Sequence, residues 1–197
     1  MRQSLWSLLV SDILEHDAET PRDRRRFTWA FALRVIVFSA GFHCVALYRL
    51  ARVARPWGGV VGKSASALLS WVMRRVYACD IAATADLGPG LILPHPLGIV
   101  IGPGVVLGAH SWVFQHVTLG GAPGRPGAPV IGRVARIYAG AVVAGPVRIG
   151  DHVAIGANAV ITRDVPGLSL ARLASSALEI LPLPDRLRDA GMKDDLS

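Results

Sequence analysis

Two hydrophobic periods divide the chain near residue 80. Upstream, apolar residues recur every three or four positions, as at Leu5, Leu8, Leu9 and Ile13, the spacing of one helix face. A polar break runs from Glu15 to Arg26, and within it Thr20-Pro21-Arg22-Asp23 has the makeup of a helix start. Phe27 to Val53 then reads as one long apolar-periodic segment, stopped by Pro56 and Gly58-Gly59, and Ser64 to Val76 reads as a further helix. His43 and Cys44 lie in apolar helical surroundings and read as core residues.

From Ile81 a six-residue period takes over. Ile81, Leu87, Leu93, Ile99, Val105, Ser111 and Val117 form one series, which resumes after an interruption at Ile131, Ile137, Val143, Ile149, Ile155 and Ile161. Every position but Ser111 is aliphatic, and the next residue is commonly small, as at Ala82, Gly88, Gly132, Ala144, Gly150 and Gly156. A second aliphatic often sits two places ahead, as with Val147 and Val153. Such hexads predict a parallel β-helix: three six-residue faces close one triangular coil, the aliphatic residue points inward, and the small residue lets the chain turn the corner. Coils stack at the strand spacing of about 4.8 Å. The interruption, Gly120 to Pro129, is rich in Gly and Pro. It cannot stay on the prism wall and is expected to leave it as a loop, where function tends to reside.

Composition narrows the partners. Apolar residues make up 52% of the 197 and charged residues 18%, which excludes a disordered chain. The most apolar run, Val35 to Tyr48, lies between Arg34 and Arg49 and is shorter than the roughly 20 residues a span needs, so no integral membrane span is expected. The net charge is +7, and Lys63 and Lys193 are the only lysines. Apart from Arg22, Arg24, Arg25 and Arg26 the arginines are scattered, without the interleaved aromatics of a nucleic-acid surface, so no nucleic acid is expected. Guanidinium forks suit a phosphorylated small ligand. Two cysteines, Cys44 and Cys79, cannot build a disulfide framework, and with no cleavable leader at the N-terminus a cytoplasmic location is expected.

Several stretches resemble one family. Asp80-Ile81, Leu91 to Gly102 (LILPHPLGIVIG), Phe114 to Gly121 (FQHVTLGG) and Ile155 to Pro166 (IGANAVITRDVP) are similar to the serine O-acetyltransferases of the hexapeptide-repeat superfamily. Gly41-Phe42-His43 and Tyr48 to Arg52 resemble that family's helical lead-in. The resemblance implies a left-handed parallel β-helix with a helical N-terminal subdomain. The divisions are 1–79 for the helices, 80–166 for the catalytic β-helix with its loop 120–130, and 167–197 for a C-terminal tail. It further implies transfer of acetyl from acetyl-CoA to the hydroxyl of L-serine, giving O-acetylserine in cysteine biosynthesis. The expected assembly is a homotrimer or a dimer of trimers.

The chemistry of the matched residues agrees with that implication. An alcohol needs a base, and imidazole titrates near pH 6.5. His95 sits between Pro94 and Pro96, a rigid setting, and matches the family's catalytic histidine. Asp80 matches the partner aspartate. It lies three residues short of one 18-residue coil from His95, within expected reach of the ring. By position, Ala139 and Ala157 match the sites whose backbone holds the pantetheine arm, and Gly120 and Gly121 permit close approach near the thioester. Arg133, Arg136 and Arg163 are candidates for the phosphates. No metal is expected: His110 and His116 stand one hexad apart, on equivalent corners facing solvent, and their spacing with His95 and His152 does not make a trihistidine site. Departures from the family concern the acceptor. Gly127 and Ala128 stand where the family has arginine and a second histidine, Pro94 stands for an aspartate, and the stretch Gly167 to Ile180 reads as a helix or a divergent tail. The acceptor is therefore open between serine and another hydroxyl, on a sugar, a polysaccharide or a specialised metabolite. A non-catalytic scaffold is the third reading.

Overall fold

A computed structural model describes residues 4–17, 25–173 and 178–182. The helix-start motif Thr20 to Asp23, the arginines Arg22 and Arg24, and the tail from 183 lie outside the described residues. Four helices come first: α1 (Leu5–Leu14), α2 (Trp29–Phe38), α3 (Ala40–Ala54) and α4 (Val60–Tyr77). The segment expected as one helix over Phe27 to Val53 is two, α2 and α3, meeting at a 91° bend. Ser39 makes the break. Its backbone is extended, and its hydroxyl accepts from the Phe42 amide at 3.1 Å, the N-cap of α3. The same hydroxyl donates to His16 Nε2 at 2.9 Å, while His16 Nδ1 donates to the Asp12 carbonyl. The turn also brings Gly41 against the Leu93 carbonyl, where a Cβ would overlap it. Helix α4 begins at Val60, ahead of the expected Ser64, because Gly59 turns with positive φ and frees the next residue to start the helix.

Burial lowers the pKa of His16, so the folded state takes up a proton on this ring less readily than the unfolded chain does. The unfolded chain therefore binds the proton first. Stability should be full above about pH 6.5 and fall as pH drops below it. Thermal midpoints measured down the pH scale should show this slope, and His16→Gln should flatten it.

Beyond α4 the chain winds into a three-walled prism, with parallel strands in every wall. The strands are β1 (Asp80–Ile81), β2 (Asp86–Leu87), β3 (Val100–Ile101), β4 (Val106–Leu107), β5 (Trp112–Val113), β6 (Thr118–Gly120), β7 (Val130–Ile131), β8 (Arg136–Ile137), β9 (Val142–Ala144), β10 (Arg148–Ile149), β11 (Ala154–Ile155), β12 (Val160–Ile161), β13 (Ser169–Leu173) and β14 (Leu178–Pro182). The first wall stacks β1, β3, β6, β9 and β12; the second β2, β4, β7 and β10; the third β5, β8, β11, β13 and β14. The inner residue of each strand is buried, from Ile81 to Ile161, in one continuous core.

Register corrects the repeat in two places. Ile81 pairs with Ile101 and Leu87 with Leu107, a first coil of 20 residues rather than 18 (101 − 81). The two extra residues fall between Leu93 and Ile101, at the His95 turn. Downstream the inner positions are therefore Ile101, Leu107, Val113 and Leu119, and the expected series Ile99, Val105, Ser111 and Val117 is the one two residues earlier. Ser111 shares that position with Ala85, Ala135, Ala141 and Ala159 as well as with Ile99, Val105 and Val117, so both small and branched residues fit there. Its hydroxyl donates to the Gly108 carbonyl and accepts from the Ala135 amide. The later loop then adds six residues, since Leu119 pairs with Val143 at a spacing of 24 where 18 is regular.

The helices are fastened to the first coil by a buried ion pair. Arg49 binds both oxygens of Asp12 at 3.0 and 3.2 Å, and neither side chain is more than 1% exposed. Arg49 also reaches the Leu87 and Gly88 carbonyls, and Asp12 accepts from the Leu91 amide. Glu15 adds Arg25 and His110 at 2.9 and 3.0 Å. At the far end, the stretch expected as helix or tail is a strand. β13 pairs parallel with β11 and antiparallel with β14, and it buries Ser169 and Ala171 on alternate positions. Residues 174–177 lie outside the described residues.

Candidate active site

One edge of the prism, where the third wall turns into the first, gathers most of the candidate residues. The chain crosses it at Leu97-Gly98, Gln115-His116, Ala139-Gly140 and Ala157-Asn158. Each level bonds the one below: Gly98 N to Ala78 O at 3.0 Å, His116 N to Leu97 O at 2.8 Å, Gly140 N to Gln115 O at 3.0 Å and Asn158 N to Ala139 O at 2.9 Å. His95 belongs to the lowest of these turns, in the two-residue insertion that pushes the chain outward, and its side chain is exposed. Ala139 is half-buried and Ala157 exposed, one level apart because Ile137 pairs with Ile155. The edge thus carries an accessible imidazole at its lowest turn, Gln115 and exposed His116 at the next level, and the small side chains of Ala139 and Ala157 at the two levels above.

Asp80 opens β1 just below the His95 turn, since Ala78 lies under Gly98. The two chain segments are thus brought together, but no hydrogen bond joins the side chains. Asp80 Oδ1 instead accepts from Arg74 Nη1 at 3.1 Å, with both side chains about half exposed. Arg74 was not singled out by its spacing, because Arg75 beside it has the same chemistry and only the last turn of α4 decides which one faces β1.

Gly120 and Gly121 are elsewhere. Gly120 ends β6 opposite Ala144, at the far side of the first wall where the long loop leaves. A Cβ on Gly120 would meet nothing within 4 Å, so the chain's own packing does not account for its lack of a side chain. In the loop, Gly127 has φ 114° and a Cβ there would press on Pro146, so no larger group fits without rearrangement. Ala128 packs against the prism core.

The three arginines considered for phosphates are not brought together. Arg133 sits at the edge between the second and third walls beside Asp151, at 3.3 Å. Arg136 lies over the Trp112 ring at 5.0 Å on the outer third wall, where Phe114 stacks on Tyr138. Arg163 follows β12. Among the histidines, the expected equivalence of His110 and His116 gives way to two different edges. His110 is held by Glu15 under α1, His152 is buried on the same edge as His110, and His116 is exposed on the His95 edge. No cluster fit to hold a metal occurs among the described residues. Cys44 and Cys79 are free, buried and hydrogen-bonded to each other, which together with burial pushes the Cys44 thiol up.

Comparison with known proteins bears on the fold and the family. The bacterial transferase hexapeptide (six repeats) family model matches residues 128–163. The serine acetyltransferase of Helicobacter pylori is 34% identical over 139 residues, covering 70% of this chain and 80% of that one. A soybean serine acetyltransferase complexed with serine superposes with TM-score 0.74 at 28% identity, over 89% of this chain and 70% of that one. A serine acetyltransferase in complex with CoA gives 0.74 at 25% identity, over 90% and 70%. The chain spans about half the length of the first curated relatives it matches. Its three-walled prism, its helical lead-in and a relative matched over most of its length lead to one conclusion: the chain belongs to the serine acetyltransferase family of hexapeptide-repeat proteins.

Proposed function

We propose that the chain is an acetyl-CoA-dependent O-acetyltransferase whose acceptor is the hydroxyl of L-serine, giving O-acetylserine for cysteine biosynthesis. The observation that carries this reading is the single prism edge on which exposed His95 stands in line with the small residues Ala139 and Ala157. An extended thioester arm can lie along such an edge and end at the imidazole. The similar soybean enzyme is complexed with serine and another similar enzyme with CoA, which supports the same pair of substrates here.

In this mechanism His95 takes the proton of the acceptor hydroxyl as its oxygen bonds to the thioester carbonyl carbon. The carbonyl electron pair moves onto oxygen, and amides at Gly120 and Gly121 stabilise that charge. Collapse breaks the carbon–sulfur bond, and the imidazolium returns its proton to the departing thiolate. Asp80 orients the ring after leaving Arg74. That exchange is cheap, because a half-exposed ion pair contributes about 1 kcal/mol or less.

Gly120 and Gly121 lie across the first wall from His95, so one chain alone does not complete this site. A homotrimer would do so, with the edge of one protomer meeting the loop of its neighbour. The paired free thiols Cys44 and Cys79 suit a reducing compartment such as the cytoplasm.

A second acceptor class is favoured by one observation. At Gly127 and Ala128 the loop offers no charged group, and Pro146 leaves no room for one at Gly127. A hydroxyl on a sugar or specialised metabolite would not need those charges. Thiol release from acetyl-CoA, followed with L-serine, homoserine and sugar acceptors, separates the readings. Saturable release with L-serine and recovery of O-acetylserine are expected. Release only with a sugar would replace the acceptor, and none with any hydroxyl would remove the activity.

A further inference from the structure

We propose that the outward faces of α2 and α4 dock on the surface of an anionic lipid bilayer. Thirteen of the nineteen large apolar side chains left exposed in the described residues precede residue 80, although the prism holds the larger core. Soluble surfaces seldom concentrate apolar groups in this way. On α2, Trp29, Leu33 and Val37 follow one another at helical spacing, with Trp29 72% exposed and Phe38 at the helix end 81% exposed. On α4 the outward residues are Val61, Leu68 and Trp71. The opposite sides of the same helices, Ala32 and Val35 on α2 and Gly62, Ser66 and Met73 on α4, are buried against the body of the protein.

Charge selects the occupant. No acidic residue falls between Asp23 and Asp80, a stretch that holds nine arginines and one lysine. Arg34 is exposed within the α2 face, Lys63 is exposed on α4, and the Arg75 guanidinium lies 5.9 Å from the Trp71 ring centre. Arg25, Arg49, Arg52 and Arg74 are held by Glu15, Asp12, Asp86 and Asp80. The basic surplus on these helices therefore rests on residues such as Arg34, Lys63 and Arg75, and it repels its own copy and attracts an anionic partner. Indole rings beside guanidinium groups, whose stems cover apolar surface while their heads stay in water, are the side chains of a membrane interface. No single helix among the described residues is long and apolar enough to cross, and the 91° bend after α2 suits helices that lie on a surface. The proposal stands apart from the acetyl-transfer reading and can fail without it.

Flotation of the full chain with vesicles provides the test, using phosphatidylcholine alone and phosphatidylcholine with about one third phosphatidylglycerol. The protein should float with the anionic vesicles, release as salt is raised, and show a blue shift of tryptophan emission on binding. Arg34→Gln and Arg75→Gln, both at exposed positions, should each weaken binding about fivefold. Leu33→Glu with Leu68→Glu should abolish it. Equal behaviour on the two vesicle types, no flotation of the wild type, or binding untouched by these changes would overturn the proposal. So would a fall in the mass of the assembly in solution for the Leu33→Glu, Leu68→Glu variant with vesicle binding unchanged, because a second copy would then be what covers the face.

Discussion

His95→Ala is expected to lower acetyl transfer by roughly 10²- to 10⁴-fold, the contribution of a positioned general base. The physical ground is the insertion that carries it. Two residues beyond the regular coil push the His95 turn off the prism wall, so the ring is exposed and takes no part in the core. Its removal should therefore leave the thermal midpoint and CoA binding unchanged while turnover falls. Loss of turnover together with loss of folding would point to a structural role, and unchanged turnover would end its assignment as the base. Asp80→Asn should cost less, since the carboxylate is already shared with Arg74 and acts only by orienting the ring.

The largest expected effect on stability lies at the seam between helices and prism. Arg49→Met would leave the Asp12 carboxylate buried without its cation, and the Leu87 and Gly88 carbonyls without a donor. Breaking one partner of a buried pair costs about 3–5 kcal/mol, a fall in thermal midpoint on the order of 10 °C for a chain of this size. Asp12→Leu combined with Arg49→Met should recover much of that loss, because the uncompensated charge is gone. Thermal melts of the single and double variants check both parts. Single variants within about 1 kcal/mol of the wild type would show that the seam does not depend on this pair.

Much of this architecture is legible in the sequence. The hexads from Ile81 to Ile161 announce the prism because every inner position must be aliphatic, and the Gly/Pro run announces the loop. The phase of the repeat is not legible, and the reason is physical. Ile99, Val105 and Val117, two places ahead of the inner positions, are also aliphatic and buried, so either frame fits. Ser111 is the one discordant residue, and it stands at the position where alanines such as Ala85, Ala135 and Ala141 also occur among the aliphatics. The bend at Ser39 was hidden by the apolar run around it, since the cap is a single hydroxyl whose partners, His16 and Phe42, are fixed only by tertiary packing. His95, Ala139 and Ala157 could be singled out by position, and the structure sets them on one edge. The Arg74–Asp80 contact joins a helix end to a strand, a relation that no periodicity encodes. Gly120 and Gly121, expected beside the thioester, lie across a wall from His95, which one chain's sequence could not reveal.

The central claim is that one prism edge is the bed of the coenzyme. Calorimetric titration of CoA into the wild type and into Ala157→Trp tests it most directly. Ala157 is exposed, so the larger ring should leave the fold intact while obstructing the edge. The account predicts binding by the wild type and at least a tenfold loss in Ala157→Trp, about 1.4 kcal/mol; equal affinity in the two proteins would contradict it.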